Sequence, residues 1–256
     1  MTPIVSEPGI LIAFEGIDGV GKSTQAKMLK DVLEHTGEEV VLSKEPTNGK
    51  YGKILRDSAQ SGRLPADEEL EVFVNDRKEH LQTLVRPALA EGKIVIFDRY
   101  FYSTIAYQGE RTNKIDEIND QMRSFADIPD IVFLLDADPE LCLVRIGARD
   151  GQANEFEKLD QLTKIRGVFS QLAERDIEIT VLDGGSSIQA LHTTVISVLL
   201  EGALKKRCAK SYGCDDPVNC GFRMTNSCRW ATLYSALKAE LPDSSTPALL
   251  ASSTHA

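Results

Sequence analysis

Phe14-Glu15-Gly16-Ile17-Asp18-Gly19-Val20-Gly21-Lys22-Ser23-Thr24 decides the fold of this 256-residue chain. Gly16, Gly21, Lys22 and Ser23 stand at the fixed positions of G-x-x-x-x-G-K-[ST], the phosphate-binding P-loop. The apolar run Ile10–Phe14 ahead of the loop reads as a buried strand. Behind it, Met28, Leu29, Val32 and Leu33 recur at helical spacing. This context gives the motif its chemistry: the glycines let successive N–H groups turn toward a polyphosphate, and the helix adds its positive end. Gly16, Asp18, Gly19, Gly21, Lys22, Ser23 and Thr24 are therefore the candidate nucleotide-binding set. Lys22 is placed to reach the β- and γ-phosphates, and Ser23 to ligate Mg²⁺.

A net charge of −10 disfavours a protein that grips long nucleic acids, but it leaves room for a local cluster of cations around a small phosphorylated ligand. No apolar run approaches the roughly 20 residues of a membrane span. The N-terminus, Met1 to Pro8, carries Glu7 and no basic region, so no secretory signal is read there. The expectation is a cytoplasmic protein without membrane or nucleic-acid partners.

Short apolar runs alternate with longer helical patterns. Strands are expected over Ile10–Glu15, Glu39–Ser43, Ile94–Asp98, Ile131–Asp136 and Ile177–Leu182. Helices are expected around Ser23–Gly37, Leu70–Glu91, Ile115–Phe125, Glu140–Arg149, Phe156–Arg175 and Ile188–Lys206. Nearly unbroken apolar strands separated by helices imply an α/β fold, a five-stranded parallel sheet with helices on both faces. In such sheets ligands bind beyond the C-terminal strand ends.

Those ends carry charge. Ile94-Val95-Ile96-Phe97 runs into Asp98, a partner for P-loop Mg²⁺, and Arg99 beside it offers a phosphate ligand. Asp136 ends a similar run and is the rival, although it or Asp138 also suits the cap of a helix opening at Pro139. Arg99 favours Asp98. Phe73 and Arg77, four residues apart, project from one helix face. They could hold a planar base by stacking and hydrogen bonding, or be a core ring beside a solvated cation. Asn113-Lys114-Ile115-Asp116 fits a guanine-reading pattern but follows no apolar strand, and is treated as a decoy.

Together these stretches resemble thymidylate kinase. The resemblance runs in order from about Ile10 to Leu200 through the P-loop, Glu45-Pro46, Gly52-Lys53-Ile54-Leu55-Arg56, Phe73-Val74-Asn75-Asp76-Arg77, Asp98-Arg99-Tyr100, Ser103 to Gly109, and Leu135 to Glu140. It implies a P-loop kinase that phosphorylates dTMP with ATP and Mg²⁺ and pairs into homodimers. It further implies that Asp18 bonds the acceptor 3′-hydroxyl, that Arg56 and Arg99 clamp its phosphate, and that Phe73 and Arg77 hold thymine. Pro46 borders the acceptor, Tyr107 crowds the 2′ position and Gln108 lines the same pocket. Because Gly19-Val20 places no arginine in the P-loop, the resemblance moves the last cation to a lid, at Arg149 or Arg145. The chain departs from the family in Thr47-Asn48-Gly49, where Gly-Gly-Thr is common, which leaves a kinase for another deoxynucleotide as an alternative. A nucleotide-binding regulator is the other.

The resemblance does not reach Cys208, Cys214, Cys220 and Cys228, which precede an amphipathic pattern of Trp230, Leu233 and Leu237. Four cysteines so close suit tetrahedral Zn²⁺ or an iron–sulfur cluster, with free thiols as the alternative and an interaction or redox module as the corresponding role. Three regions are expected: a kinase domain over 1–204, a Cys-rich appendage over 205–241, and a disordered tail over 242–256.

Overall fold

Five apolar runs become the strands of one parallel sheet: β1 (Ile10–Glu15), β2 (Val40–Lys44), β3 (Ile94–Asp98), β4 (Ile131–Asp136) and β5 (Ile179–Asp183). Their order is β2-β3-β1-β4-β5. The computed structural model describes residues 9–150, 155–206 and 228–241. Every residue of β1 is buried, as a central strand covered on both faces requires. β1 pairs with β3 so that Phe14 lies opposite Asp98, and with β4 so that Glu15 lies opposite Leu134. From β1 the chain leaves toward β2, whereas from the adjacent β4 it leaves toward β5. The direction of connection therefore reverses at the C-terminal end of β1, where the P-loop emerges, and such a reversal opens a crevice.

The helices are α1 (Lys22–His35), α2 (Lys50–Ser61), α3 (Ala66–His80), α4 (Arg86–Ala90), α5 (Phe101–Thr112), α6 (Ile115–Arg123), α7 (Pro139–Asp150), α8 (Glu155–Arg175), α9 (Ile188–Leu199) and α10 (Arg229–Ala239). A π-helical turn, Leu81–Val85, joins α3 to α4. It lies just ahead of Pro87, which has no N–H to continue a regular ladder. Another π turn, Leu200–Leu204, follows α9.

The expected five-stranded α/β architecture is the one observed, with two helices added. α2 buries only Gly52, Leu55 and Ser58, too sparse an apolar stripe to stand out in the sequence. α5 buries seven of its twelve residues, and it opens on Phe101-Tyr102-Ser103-Thr104-Ile105, aromatic, hydroxyl-bearing and β-branched types that are weak helix formers, directly after β3. β5 starts at Ile179, two residues later than expected, and Ile177 is 95 % exposed, outside the sheet. The decoy Asn113-Lys114-Ile115-Asp116 is a joint between helices. Asn113 takes the left-handed conformation (φ 57°) that ends α5, and Ile115 begins α6.

The chain divides into two compact units, Met1–Leu191 and His192–Ala256. In the second, Trp230, Leu233 and Leu237 are buried, and Tyr234 Oη donates to Glu201 Oε1 at 2.8 Å. Cys208, Cys214 and Cys220 lie outside the described residues. Cys228 is buried and caps α10, its Sγ accepting the Ala231 N–H at 3.4 Å. Among the described residues no group of three or more His, Cys, Asp or Glu side chains is placed to hold a metal ion, and three of the four cysteines of the expected zinc or cluster site lie outside them. Nor is any described helix long and apolar enough to cross a membrane.

Candidate active site

The P-loop bridges β1 and α1 through backbone that most residues avoid. Gly16 has φ 131°, and a Cβ there would fall 2.3 Å from the Leu135 carbonyl oxygen. Gly21, the N-cap of α1, has φ 108° with nothing within 4 Å of an added Cβ. At Gly16 both space and conformation demand glycine; at Gly21 conformation alone does. Lys22 opens α1 and turns back over the loop, its Nζ donating to Gly16 O at 3.0 Å and Ile17 O at 2.8 Å. Burial brings its ammonium down to about 7, and the neighbouring Arg99 charge acts in the same direction.

Ser23 Oγ donates to Asp98 Oδ2 at 2.5 Å, so the P-loop hydroxyl and the β3 carboxylate meet as two oxygen donors. Asp136, the rival, is engaged elsewhere. Arg166 of α8 grips it with Nε at 2.6 Å to Oδ1 and Nη2 at 2.7 Å to Oδ2. A cavity of about 610 Å³ extends from the P-loop between α7 and the loop after β5, with Thr24, Arg145 and Gly184 on its walls. Arg145 Nη1 donates to Gly184 O at 2.9 Å, joining those walls. Arg149 belongs to α7, but its side chain lies outside the described residues.

A second cavity of about 250 Å³ lies on the other side of Asp18 and Arg99, which line both. Pro46, Phe73, Arg77, Tyr107 and Gln108 are on its walls, as the resemblance implied. Arg99 has φ 74°, which turns its side chain back over the P-loop. Its Nη2 donates to Asp18 Oδ1 at 2.5 Å and its Nη1 to Ser103 Oγ at 3.1 Å, and the guanidinium lies over the Tyr107 ring. Burial disfavours the Asp18 anion, yet Arg99 and Lys22 outweigh it and hold the carboxyl below its usual range. Burial also pushes the Tyr107 phenol up to about 12, so it stays protonated and donates to Asp18 Oδ2 at 3.2 Å.

The reading of Arg77 as a solvated cation beside a core ring is overturned. Arg77 is buried, not solvated, and it also lines the cavity, held by Glu45, Met122 Sδ and Thr104 Oγ1. Phe73 is half-buried with its neighbours on the same wall. Arg56 is not on that wall; its Nη1 donates to Thr47 O at 2.5 Å. Asp76 in turn fixes Thr47, accepting its N–H at 2.8 Å and its hydroxyl at 2.6 Å. Four buried carboxylates at or beside the site, Glu15, Glu45, Glu69 and Asp76, were not singled out from the sequence. Their one signal is placement: a Glu that ends a strand, one before proline, and two on the α3 face that carries Phe73 and Arg77.

The thymidylate kinase family model matches residues 14–195. A thymidylate kinase of Xanthomonas oryzae pv. oryzae is 45 % identical over 203 residues, covering 78 % of this chain and 89 % of that protein. One from Xylella fastidiosa is 39 % identical over 193 residues, covering 75 % and 88 % respectively. The crystal structure of thymidylate kinase from Ehrlichia chaffeensis superposes with a TM-score of 0.60 at 30 % identity, covering 75 % of this chain and all of that one. A P-loop set between two cavities, in a chain matched over most of its length, makes this protein a member of the thymidylate kinase family.

Proposed function

We propose that this kinase transfers the γ-phosphoryl group of ATP to dTMP, yielding ADP and dTDP. The observation that carries the reading is that Asp18 and Arg99 line both cavities. A donor seated on the P-loop and an acceptor beside Phe73 and Arg77 would bring their phosphates together at those two residues. In-line transfer between two polyanions is limited by positioning and charge, so the site needs cations more than an acid or base. Lys22 would exchange its bonds to Gly16 and Ile17 for phosphate oxygens, while Arg99 leaves Asp18 for the acceptor phosphate. Asp18 is then free to accept from the 3′-hydroxyl. Arg145, with Arg149 from the lid, would supply the remaining positive charge.

Ser23 Oγ and Asp98 Oδ2 are hard oxygen donors beside the P-loop, the donor type that Mg²⁺ takes. Held by Ser23 and Asp98, the ion would offset the charge of the transferring phosphates. Tyr107 lies against Asp18 where a 2′-hydroxyl would come, which favours deoxyribose. The reading includes a cytoplasmic homodimer. Leu42 and Leu84, each 37 % exposed, share one large cavity wall and are apolar residues that pairing would cover. The family match ends at 195 and the cysteines begin at 208, so we place the end of the catalytic region near residue 204.

The test is coupled ADP release with ATP, Mg²⁺ and each of dTMP, dUMP, dCMP, dGMP and dAMP. dTMP should give the highest kcat/KM. Stimulation by none of the five would remove the kinase reading, and a preference for another base would move the acceptor assignment.

A further inference from the structure

Glu15 is buried at the end of β1 and stands beside the P-loop without touching either cavity. Its Oε1 accepts the Tyr100 N–H at 2.7 Å and the Ser103 N–H at 3.2 Å, and its Oε2 takes the Ser103 hydroxyl at 2.5 Å. Three donors thus converge on one side chain from the turn and first residues of α5 that follow Arg99. That turn is the one place where a bulky residue, Arg99, is held at φ 74° beside the P-loop. Such a conformation costs on the order of 1 kcal/mol and persists only when surrounding contacts impose it. The Arg99 N–H is held by Phe14 O at 3.0 Å, and the next N–H by Glu15 itself. Both anchors of the turn therefore come from consecutive residues of β1.

The second link runs through Ser103. A guanidinium can only donate, so Ser103 Oγ must accept from Arg99 Nη1 at 3.1 Å. Its own proton is then left for Glu15 Oε2. Ser103 is a fixed coupling between the buried carboxylate and the guanidinium. Burial raises the Glu15 carboxyl, and the Ser103 and Tyr100 bonds with the Arg99 and Lys22 charges oppose that rise.

We propose that Glu15 is the positioning residue for Arg99: through the Tyr100 N–H and the Ser103 hydroxyl it sets the direction from which Arg99 meets the acceptor phosphate. The inference rests on Arg99 acting in phosphoryl transfer, as proposed above. It assigns Glu15 no contact with substrate.

The test is a double-mutant cycle, with dTMP affinity and kcat measured together for wild type, Glu15→Gln, Ser103→Ala, Arg99→Ala and the two doubles. Glu15→Gln and Ser103→Ala should each lower kcat/KM for dTMP by about tenfold, the scale of one charge-assisted hydrogen bond. In the Arg99→Ala background the same changes should cost less than about twofold, since the group they position is gone. Ser103→Ala should leave ATP affinity unaltered. An equal loss in both backgrounds would make Glu15 merely structural, and full activity of Ser103→Ala with Glu15→Gln would also overturn the proposal. If Glu15→Gln does not fold, the Ser103→Ala cycle decides alone, with coupling supporting and additivity rejecting the relay. Near-normal turnover of Arg99→Ala would count against the role of Arg99 itself, separating that failure from this one.

Discussion

Two nitrogens of Arg77, Nε at 2.7 Å and Nη2 at 2.5 Å, donate to a single oxygen of Glu45, and both side chains are buried. The other oxygen of Glu45 faces His80 Nδ1 at 3.1 Å. Arg77 lines the cavity proposed for the acceptor, so its aim depends on a carboxylate that follows β2. Glu45→Gln should raise KM for dTMP by about tenfold or more and destabilise the fold by about 3 to 5 kcal/mol, because it leaves a buried guanidinium without its counter-charge.

The same pair has a pH signature. Burial works against the Glu45 anion, but Arg77 and His80 hold its carboxyl below the ordinary value of 4.5. A folded value below the unfolded one adds stability that is present above about pH 4.5 and is lost as the pH falls through the folded value. Urea unfolding from pH 7 to pH 3 should therefore show the gap between wild type and Glu45→Gln narrowing below about 4.5. A gap that stays constant to pH 3 would contradict the assignment.

Arg99→Ala should lower kcat by about a hundredfold to a thousandfold with the melting temperature close to wild type, the usual cost of losing a donor aimed at developing charge. Steady-state kinetics at saturating ATP checks this. Near-normal turnover would take Arg99 out of the reaction.

Chelation with EDTA should abolish turnover, and added Mg²⁺ should restore it. Asp98→Asn should raise the Mg²⁺ concentration for half-maximal rate by about tenfold, on the scale of a lost ligand contact of about 1.4 kcal/mol. Asp136→Asn should not, since Arg166 already occupies Asp136. Reversal of that pattern would transfer the metal role to Asp136.

Gly52 tests the acceptor side from a distance. A Cβ there would lie 1.9 Å from Thr47 O, the oxygen that accepts from Arg56. Gly52→Ala should displace the Thr47 segment, raising KM for dTMP by about tenfold while leaving ATP affinity alone, and should cost about 1 to 3 kcal/mol of stability through overpacking. Calorimetric titration with each nucleotide separates the two sites. Equal weakening of both would mean general distortion.

Sequence patterns alone determined the α/β class, all five strands to within two residues, and the P-loop with its Lys22 and Ser23. The reason is local: strand burial, glycine at positive φ and a helix start each leave their mark within a few neighbouring residues. They did not reveal α5, because its first turns, Phe101 to Ile105, consist of aromatic, hydroxyl-bearing and β-branched residues that are weak helix formers, and they follow β3 after two residues. Nor could they choose finally between Asp98 and Asp136, which end similar strands. What distinguishes them is tertiary: Arg166, thirty residues beyond Asp136, pairs with that carboxylate, and Ser23, seventy-five residues before Asp98, meets the other. The tertiary structure also placed Glu15 behind Arg99 and Glu45 behind Arg77. A carboxylate's role is set by which cation faces it, and only folding brings such partners together.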